Sequence, residues 1–478
     1  MKAVIERALD TASAGGAAYA DARIVQKTSE FLMVKDGQVA AVNLSSDYGL
    51  GVRALVNGSW GFASASRVNT ESADEVAGRA LRIARASARV QEKPVVLAAQ
   101  DPSVGEYTTP YETDPFDVST EDKLGLLLRV NDLLRREKGV KVAECAMEIY
   151  KTEKAFGSTE GSYVTQTIVE SGAGMESTAT SDDDIQKRSF PNSFGRQVVT
   201  GGYEEIEKLE LESNAPRIAS ESAALLSAAE CPATTTTVIL DATQVALQVH
   251  ESCGHPTELD RALGYEASFA GTSFLTPDML GAFRYGSDAV NIVADATTPL
   301  GAGTFGYDDE GVPAQRNYLV KDGIFVGYLT SRETASELDQ RSSGAMRAES
   351  WNHIPLIRMT NINLMPGETS SEDLIASTDD GIYMELNKSW SIDDLRLNFQ
   401  FGTEIAWQIE GGRLTNMYKN PTYTGITPQF WQSCDAVANN WRMWGTPNCG
   451  KGEPVQGMHV GHGAAAARFR DVRVGVRG

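Results

Sequence analysis

The sequence predicts an α+β protein with two large domains: a mixed α/β domain of hairpins and amphipathic helices at residues 1–230, and a β-rich domain at residues 231–478. Three observations lead to this prediction. A chain of 478 residues exceeds the roughly 250–300 residues at which a single hydrophobic core stops growing. The first half alternates tight-turn signals with helical periodicity, and the second half carries short strand-like runs between turn residues. We expect the boundary near residues 225–235.

The first domain begins with two predicted hairpins. Asp-Gly at 36–37 and Asn-Gly at 57–58 each separate two strand-like runs, and both dipeptides favour a type I′ turn. Apolar residues then recur every three or four positions over 72–89 and 120–137, which predicts two amphipathic helices. The second of these segments has acids in its first turn and arginines in its last, as the helix dipole favours. A third helix is predicted around 220–229.

The rest of the chain is dominated by strand-like patterns. Residues 141–200 alternate in polarity, and beyond the boundary the strand candidates are short and separated by Gly, Asp or Asn. We expect few helices there. The candidates are TTTTVIL at 234–240, NIVAD at 291–295, NYLVKDGIFVGYLT at 317–330, IRMTNINLM at 357–365 and LRLNFQFGTEIAWQIEGGRL at 395–414.

Composition excludes several classes of function. The chain has 43 basic and 64 acidic residues, so its net charge of −21 repels nucleic acid and anionic lipid surfaces. No window approaches the roughly 18 apolar residues of a membrane span, and residues 1–10 lack the apolar segment of a secretory signal. The five cysteines form no CxxC pair, which argues against a disulfide framework and predicts a cytoplasmic protein: Cys145, Cys231, Cys253, Cys434 and Cys449.

The segment HESCGH is the strongest chemical signal. His250 and His255 flank Glu251, and a pair of imidazoles beside a carboxylate is typical of a hydrolytic zinc site. The histidines are five positions apart, which leaves them about 140° apart on a regular helix, so a regular helix cannot bring both to one metal. A widened π-type turn would allow it, as would a break at Gly254 and Pro256.

The motif follows a well-marked helix start. Asp241 stands three positions before Gln244, which resembles a capping box. In a zinc site Glu251 would act as the general base on the metal-bound water, whose pKa falls to near 7. A surface helix end with two solvated histidines is the alternative that the pattern leaves open.

Several separated stretches of the chain together indicate one family. They are VHESCGH at 249–255, YDDEGVPAQ at 307–315, MRAESWNHIPLIRMTNINLMPG at 346–367, GIYM at 381–384 and NCGKG at 448–452. In this order, they resemble the TldD/PmbA metallopeptidase family, and specifically its metal-bearing TldD branch. Looser similarity extends through the first domain.

The resemblance implies a zinc ion held by His250, His255 and Cys449, and a peptidase acting on unfolded or modified peptides. It also implies a dimer, either of two identical chains or with a TldE/PmbA-like subunit that lacks the metal motif. A peptide bound in extended form on a strand edge is a related hypothesis. Two alternatives remain: a non-catalytic partner subunit, and a zinc hydrolase of a non-peptide amide.

Three residues near the C-terminus could complete the metal site. We expect Cys449 rather than His459 or His462, because a thiolate binds zinc strongly and Lys451 beside it would favour the thiolate. Histidines between glycines in a terminal segment are expected to be solvated or loosely ordered. Accordingly, Cys449→Ala should remove zinc and activity, whereas replacing both histidines by alanine should leave them largely intact.

Other polar residues have two possible interpretations. Glu258 and Asp260 are either orienting partners of a metal-bound imidazole or exposed turn acids. The acid run at 308–310, which begins with Asp308, either binds a peptide amine or a second cation or is a solvated turn before Gly311, and we favour the turn. His353 is either a substrate-binding group or a satisfied core histidine. Cys253 is expected to be a buried, inert thiol.

Overall fold

A computed structural model describes residues 1–475, which fold around two eight-stranded sheets. Strands up to residue 200 form the first sheet, and the second draws its strands from residue 229 onward. The mixture of helix and strand, with a strand-rich C-terminal part, confirms the predicted α+β class. The division into domains 1–230 and 231–478 stays a prediction. Within residues 1–475, no helix is long and apolar enough to cross a membrane.

The first part of the chain contributes long strands and helices of 4 to 18 residues. In chain order its elements are α1 Lys2–Ala14, β1 Tyr19–Lys35, β2 Gln38–Val56, β3 Ser59–Ala65, α2 Thr70–Ser87, β4 Val104–Thr108, α3 Thr120–Arg135, β5 Val140–Ser158, β6 Tyr163–Thr180, β7 Ile185–Phe190, β8 Gln197–Thr200, α4 Glu204–Glu207 and α5 Leu211–Leu225.

The first sheet has the strand order β3-β2-β1-β5-β6-β4, with β7 and β8 also paired to β6. Both predicted hairpins are confirmed. The turn residues Asp36, Gly37, Asn57 and Gly58 all have positive φ, from 50° to 82°, as a type I′ turn requires. These tight turns hold β1, β2 and β3 in one antiparallel meander.

Two of the three predicted helices are confirmed with shifts of about two residues. α2 begins at Thr70 because the side chain of Asn69 accepts a hydrogen bond from the Ser72 N–H, and α3 begins after the Ser119 cap. The third prediction, 220–229, was wrong in position, because α5 starts earlier, runs through Pro216 and ends at Leu225. The sequence pattern did not reveal α1, whose apolar residues pack against α2.

The second part of the chain has shorter elements. In chain order they are β9 Ala229–Glu230, β10 Thr234–Leu240, α6 Ala242–Val249, α7 Leu259–Ala262, α8 Ala267–Ala270, β11 Ile292–Asp295, β12 Arg316–Lys321, β13 Ile324–Phe325, α9 Arg332–Ser336, β14 Met346–Arg347, β15 Leu356–Ile357, β16 Ile362–Leu364, α10 Ser371–Ala376, β17 Asp380–Ile392, β18 Asn398–Glu410, β19 Arg413–Lys419, β20 Thr422–Ile426, α11 Thr427–Gln432, β21 Cys434–Val437, β22 Arg442–Lys451, β23 Gln456–Ala464 and β24 Ala467–Val474.

The second sheet has the order β17-β10-β24-β20-β18-β19-β9, and β17 also pairs with β18. Five of its strands therefore close into a ring. Tyr423 on β20 is buried there, and its hydroxyl lies 2.8 Å from Nε2 of Gln244 and 2.8 Å from Oε1 of Gln248 on α6. These hydrogen bonds fix α6, which carries the HESCGH segment at its end, against the sheet.

The acid run at 308–310 lies between the two parts of the chain and is buried, so the predicted solvated turn was wrong. Asp309 pairs with Lys154 of β5 at 2.7 Å and with Arg23 of β1 at 3.5 Å, and Glu310 lies 3.2 Å from Arg53 of β2. The cations come from strands far away in sequence, which is why local turn chemistry could not reveal the burial.

Candidate metal centre

The HESCGH segment forms a widened turn at the end of α6. Asp241 caps the helix by accepting hydrogen bonds from the N–H groups of Thr243 and Gln244. The Gln244 side chain does not return to Asp241, so the predicted capping box is only half formed. Residues His250–Gly254 then form one π-helical turn, in which the His255 N–H donates to the His250 carbonyl.

This π turn is one of the two solutions that the five-residue spacing predicts. The other, a break at Gly254 and Pro256, was wrong. Gly254 (φ −55°, ψ −60°) and His255 (φ −63°, ψ −44°) both keep right-handed helical backbone, and Pro256 starts a short 3₁₀ turn. The insertion of one residue into the helical turn brings the two imidazoles to one face, with ring centroids 4.9 Å apart.

Three potential ligands converge at this point. One donor atom each from His250, His255 and Cys449 lie within 4.8 Å of one another, and all three side chains are buried. Cys449 lies on β22, almost 200 positions after the histidines, and its Sγ is 3.9 Å from Nε2 of His255. The structure thus brings together the three residues that the family resemblance selects.

His255 is oriented by a buried ion network. Its Nδ1–H donates to Oε2 of Glu258 at 3.0 Å, which leaves Nε2 free to face Cys449. Arg261 also donates to Glu258, at 3.2 Å. Burial opposes ionisation of Glu258, but the charge of Lys451 and the hydrogen bond from His255 outweigh it and lower the pKa of Glu258 well below its ordinary value. Glu258 is therefore an orienting carboxylate, not an exposed turn acid.

Asp260 has a different partner. Although it is buried, it does not contact the histidines directly, and its Oδ1 accepts from Lys451 Nζ at 2.8 Å. Lys451 therefore serves the two carboxylates of this network and does not neutralise Cys449. This result corrects the expectation that Lys451 favours the thiolate.

The cation that does favour the thiolate is Arg358. Burial opposes ionisation of Cys449, but the charge of Arg358 outweighs it and lowers the pKa of the thiol below its ordinary value. Arg358 is fully buried and donates to the Cys449 carbonyl. By contrast, burial raises the pKa of Cys253 to about 12, which confirms that thiol as an inert core residue. Sequence reasoning missed Arg358, although it lies in one of the stretches that carry the resemblance.

His462 is fully buried, so the expectation of a solvated side chain was wrong. Its Nε2 lies 2.8 Å from Nδ1 of His250, and its Nδ1 lies 3.3 Å from the carbonyl of Ile362. Since a carbonyl only accepts, His462 Nδ1 carries the hydrogen and its Nε2 accepts from His250. Nε2 of His250 then keeps a free lone pair. Burial and the neighbouring His250 lower the pKa of His462 well below its ordinary value, consistent with this neutral form.

His459 is also mostly buried, and its Nδ1 pairs with Glu170 of β6 at 2.9 Å, so the expectation of solvation was wrong here too. It lines a second cavity of about 280 Å³ beside the first sheet, together with Asp308. His353 lines neither this cavity nor the cavity that contains His250 and Cys449. Its Nδ1 is buried without a partner among residues 1–475, so it is not the satisfied core histidine of one interpretation.

Glu251 and the three potential ligands line a cavity of about 250 Å³, which we call the metal cavity. Arg396, from the turn between β17 and β18, reaches into the same cavity and places Nη1 3.5 Å from Oε2 of Glu251. Its backbone has φ 62°, and its Nη2 donates to the Ala270 carbonyl at 3.1 Å. No sequence motif marks Arg396, because its approach to Glu251 depends on the packing of the turn after β17.

Known proteins give an independent view of this chain. The profile of the PmbA/TldA metallopeptidase C-terminal domain matches residues 233–476, and that of PmbA/TldA metallopeptidase domain 1 matches residues 20–84. A metalloprotease of Methanocaldococcus jannaschii is 29% identical over 451 residues, which cover 94% of this chain and 95% of that protein. A metalloprotease TldD homolog of Haemophilus influenzae is 28% identical over 464 residues, covering 96% and 92%.

Solved structures agree on the fold. TldE from Thermococcus kodakarensis matches with a TM-score of 0.74 at 15% identity, covering 98% of this chain and 99% of that one. A Thermotoga maritima protein named as a putative modulator of a DNA gyrase matches with a TM-score of 0.79 at 17% identity and 99% coverage of both chains. The metalloprotease names of the sequence relatives support a metallopeptidase function. Because the C-terminal profile spans more than half of its length, this chain belongs to the TldD/PmbA metallopeptidase family.

Proposed function

We propose that this chain is a zinc-dependent peptidase that hydrolyses unfolded or modified peptides, with His250, His255 and Cys449 as metal ligands and Glu251 as general base. The observation that supports this most strongly is the convergence of the three donor atoms within 4.8 Å in a cavity that Glu251 also lines. The same cavity would admit a substrate beside the metal.

The donor set fits zinc. Two imidazole nitrogens and one thiolate suit zinc, whereas magnesium and calcium favour sites made of oxygen ligands. Three protein ligands, rather than four, are typical of catalytic zinc sites, which keep one position open. When bound, zinc supplies a coordinated water of lowered pKa and polarises a substrate carbonyl. The histidine tautomers set by Glu258 and His462 leave both Nε2 atoms free to bind a cation.

The position of Glu251 supports the role of general base. Its side chain lines the same cavity as the proposed ligands, where it would take the proton from the attacking water and pass it to the leaving amine. Arg396 Nη1 lies 3.5 Å from one oxygen of this carboxylate. Both side chains are largely buried, which limits access of other water to the reacting groups.

Assembly and location belong to this proposal as well. We infer a dimer, of two identical chains or with a TldE/PmbA-like subunit, because a TldE protein has the same fold. The substrate would be an extended peptide. A cytoplasmic location is supported by the free thiols of all five cysteines.

The test compares two variants. Glu251→Gln should bind zinc and fold normally but lose nearly all peptide hydrolysis, because the amide cannot accept the proton. Cys449→Ala should lose most of the bound zinc as well as activity. Zinc content by elemental analysis and cleavage of an unfolded casein substrate, before and after chelator treatment and zinc addition, measure both effects.

Two outcomes would contradict the proposal. Hydrolysis that survives complete removal of the metal would exclude a metallopeptidase. A zinc-loaded chain that cleaves a small non-peptide amide but no peptide would favour the alternative hydrolase. Asn416→Ala, an exposed change on β19, is the control and should match the unmodified chain in both measurements.

A further inference from the structure

Asn387 is a buried polar residue without a partner. It lines the metal cavity and is 2% exposed, yet neither its amide oxygen nor its amide nitrogen has a hydrogen-bond partner within residues 1–475. Buried polar atoms in folded proteins are paired in roughly 90% of cases or more, and an unpaired one costs about 1–3 kcal/mol. A buried amide that faces a cavity and remains unpaired therefore suggests a ligand that pairs with it.

The backbone around Asn387 is irregular where it faces the cavity. Leu386 has φ 60°, and the pairing of β17 with β18 shifts register between Asn387 and Ser389. Such bulges re-aim a side chain and are common beside active sites. In a regular strand, neighbouring side chains point to opposite faces of the sheet. The bulge is therefore the local feature that sets the direction of the Asn387 side chain.

Two aromatic residues lie on the same cavity. Phe194 and Trp390 are 39% and 43% exposed, and their rings meet edge to face with centroids 6.0 Å apart. Phe194 has φ 61°, a left-handed conformation that is rare and strained for a bulky residue. Phe194 comes from the first part of the chain and Trp390 from β17, so the fold brings together two exposed aromatic faces at the metal cavity.

We propose that Asn387 binds a peptide group of the substrate, and that Phe194 and Trp390 hold the apolar side chain beside it. This inference rests on the proposed function, because it assigns the cavity to a peptide. A primary amide presents one donor edge and one acceptor edge, which matches the N–H and C=O of a peptide group. The aromatic faces favour an aliphatic or aromatic side chain over glycine or an acidic residue. The substrate class is therefore an extended peptide with an apolar residue next to the bond that is cleaved.

The first experiment separates a binding role from a structural one. Asn387→Leu keeps the approximate volume and removes an unpaired buried amide, so its melting temperature should equal or exceed that of the unmodified chain. A structural asparagine would give the opposite result, a lower melting temperature. Asn416→Leu, the same change on the exposed face of β19, is the matched control.

The second experiment measures binding without turnover. The probe is a blocked pentapeptide of alanines with a central phenylalanine, titrated calorimetrically into the zinc-loaded Glu251→Gln chain. Adding Asn387→Leu should weaken binding about tenfold, as expected for two lost hydrogen bonds. Replacing the peptide group that pairs with Asn387 by an ester removes its N–H. This change should weaken binding to the chain that retains Asn387 but leave binding to the Asn387→Leu chain unchanged. Trp390→Ala should weaken binding of the phenylalanine peptide more than that of its glycine analogue.

The outcomes are distinct. Equal peptide affinity with Asn387 or Asn387→Leu would overturn the inference, as would absence of measurable binding to the zinc-loaded Glu251→Gln chain. A lower melting temperature with unchanged affinity would assign Asn387 to the fold. If peptides bind through Asn387 but the zinc-loaded chain with Glu251 intact does not cleave them, the proposed peptidase function fails and this binding site stands.

Discussion

At the scale of single residues, His462 decides which nitrogen of His250 is available. Its Nδ1–H donates to the Ile362 carbonyl, so its Nε2 accepts from His250 at 2.8 Å and leaves Nε2 of His250 unprotonated. Orienting partners of metal-bound histidines are worth about 10–100-fold in metal affinity. We therefore predict that His462→Leu weakens zinc binding by about that factor, whereas His462→Gln, which can still accept and donate, weakens it only slightly.

Competition between the metal-free protein and a chromophoric zinc chelator measures these affinities directly. His459→Leu is the control, since His459 pairs with Glu170 in the second cavity and should leave zinc affinity unchanged. This prediction differs from the sequence-based expectation that replacing both histidines by alanine leaves the bound zinc largely intact. Equal zinc affinity of His462→Leu and the unmodified chain would show that His250 is oriented by other contacts.

The residues that the sequence could identify are those that stand in a local pattern. The residue types and spacing of His250, Glu251 and His255 identify them as candidates, whereas Cys449 could be identified only through the family resemblance. His462, Arg358 and Asn387 could not be identified in this way, because the contacts that define them join segments far apart in the chain. Burial decides their roles, and burial is a property of the tertiary structure.

At the scale of secondary-structure elements, geometry made part of the site predictable. A regular helix cannot bring residues five apart to one face, so two metal-binding histidines at this spacing predict a widened turn, and the π turn at His250–Gly254 confirms it. Which residue accommodates the turn was not predictable. Gly254 keeps right-handed backbone, so its missing side chain matters for packing and not for conformational freedom.

We predict that Gly254→Ala weakens the site. A Cβ at this position would lie 2.4 Å from Sδ and 2.8 Å from Cε of Met359, which is fully buried. Such overpacking typically costs about 1–3 kcal/mol, and any shift of the π turn would also separate His250 from His255. The melting temperature and the zinc affinity of Gly254→Ala should both fall.

A second substitution identifies the cause. Met359→Ala removes the clashing atoms, so the double variant should recover zinc affinity relative to Gly254→Ala alone. Gly78→Ala, in the middle of α2, is the matched control: its nearest neighbour would be 3.6 Å away, and helix propensity should stabilise the chain by up to about 1 kcal/mol. If the double variant binds zinc no better than Gly254→Ala, contact with Met359 is not the reason for the glycine.

At the scale of the whole molecule, buried charges join the first sheet to a loop of the second part of the chain. Arg53 on β2 donates to Asp21 at 2.7 Å and lies 3.2 Å from Glu310 and 4.2 Å from the centre of the Trp60 ring. Burial lowers the pKa of Arg53, but the charges of Asp21 and Glu310 outweigh it and raise the pKa above its ordinary value. The first part of the chain also supplies Phe194, from the turn between β7 and β8, to the metal cavity.

This arrangement predicts a large effect of a single substitution far from the metal. Arg53→Met leaves the carboxylates of Asp21 and Glu310 buried without their cation, a change that costs about 3–5 kcal/mol in typical proteins. Unfolding in urea should therefore begin at a clearly lower urea concentration.

The control is a second ion pair between the two parts of the chain. Arg341 and Asp101 lie 3.2 Å apart, but their side chains are 71% and 82% exposed, so Arg341→Met should change stability by at most about 1 kcal/mol. Equal urea midpoints for Arg53→Met and Arg341→Met would mean that the buried charges do not hold the two parts of the chain together. A larger loss in Arg53→Met, partly recovered by adding Glu310→Gln, would show that the cost comes from the unpaired carboxylate and not from lost packing against Trp60.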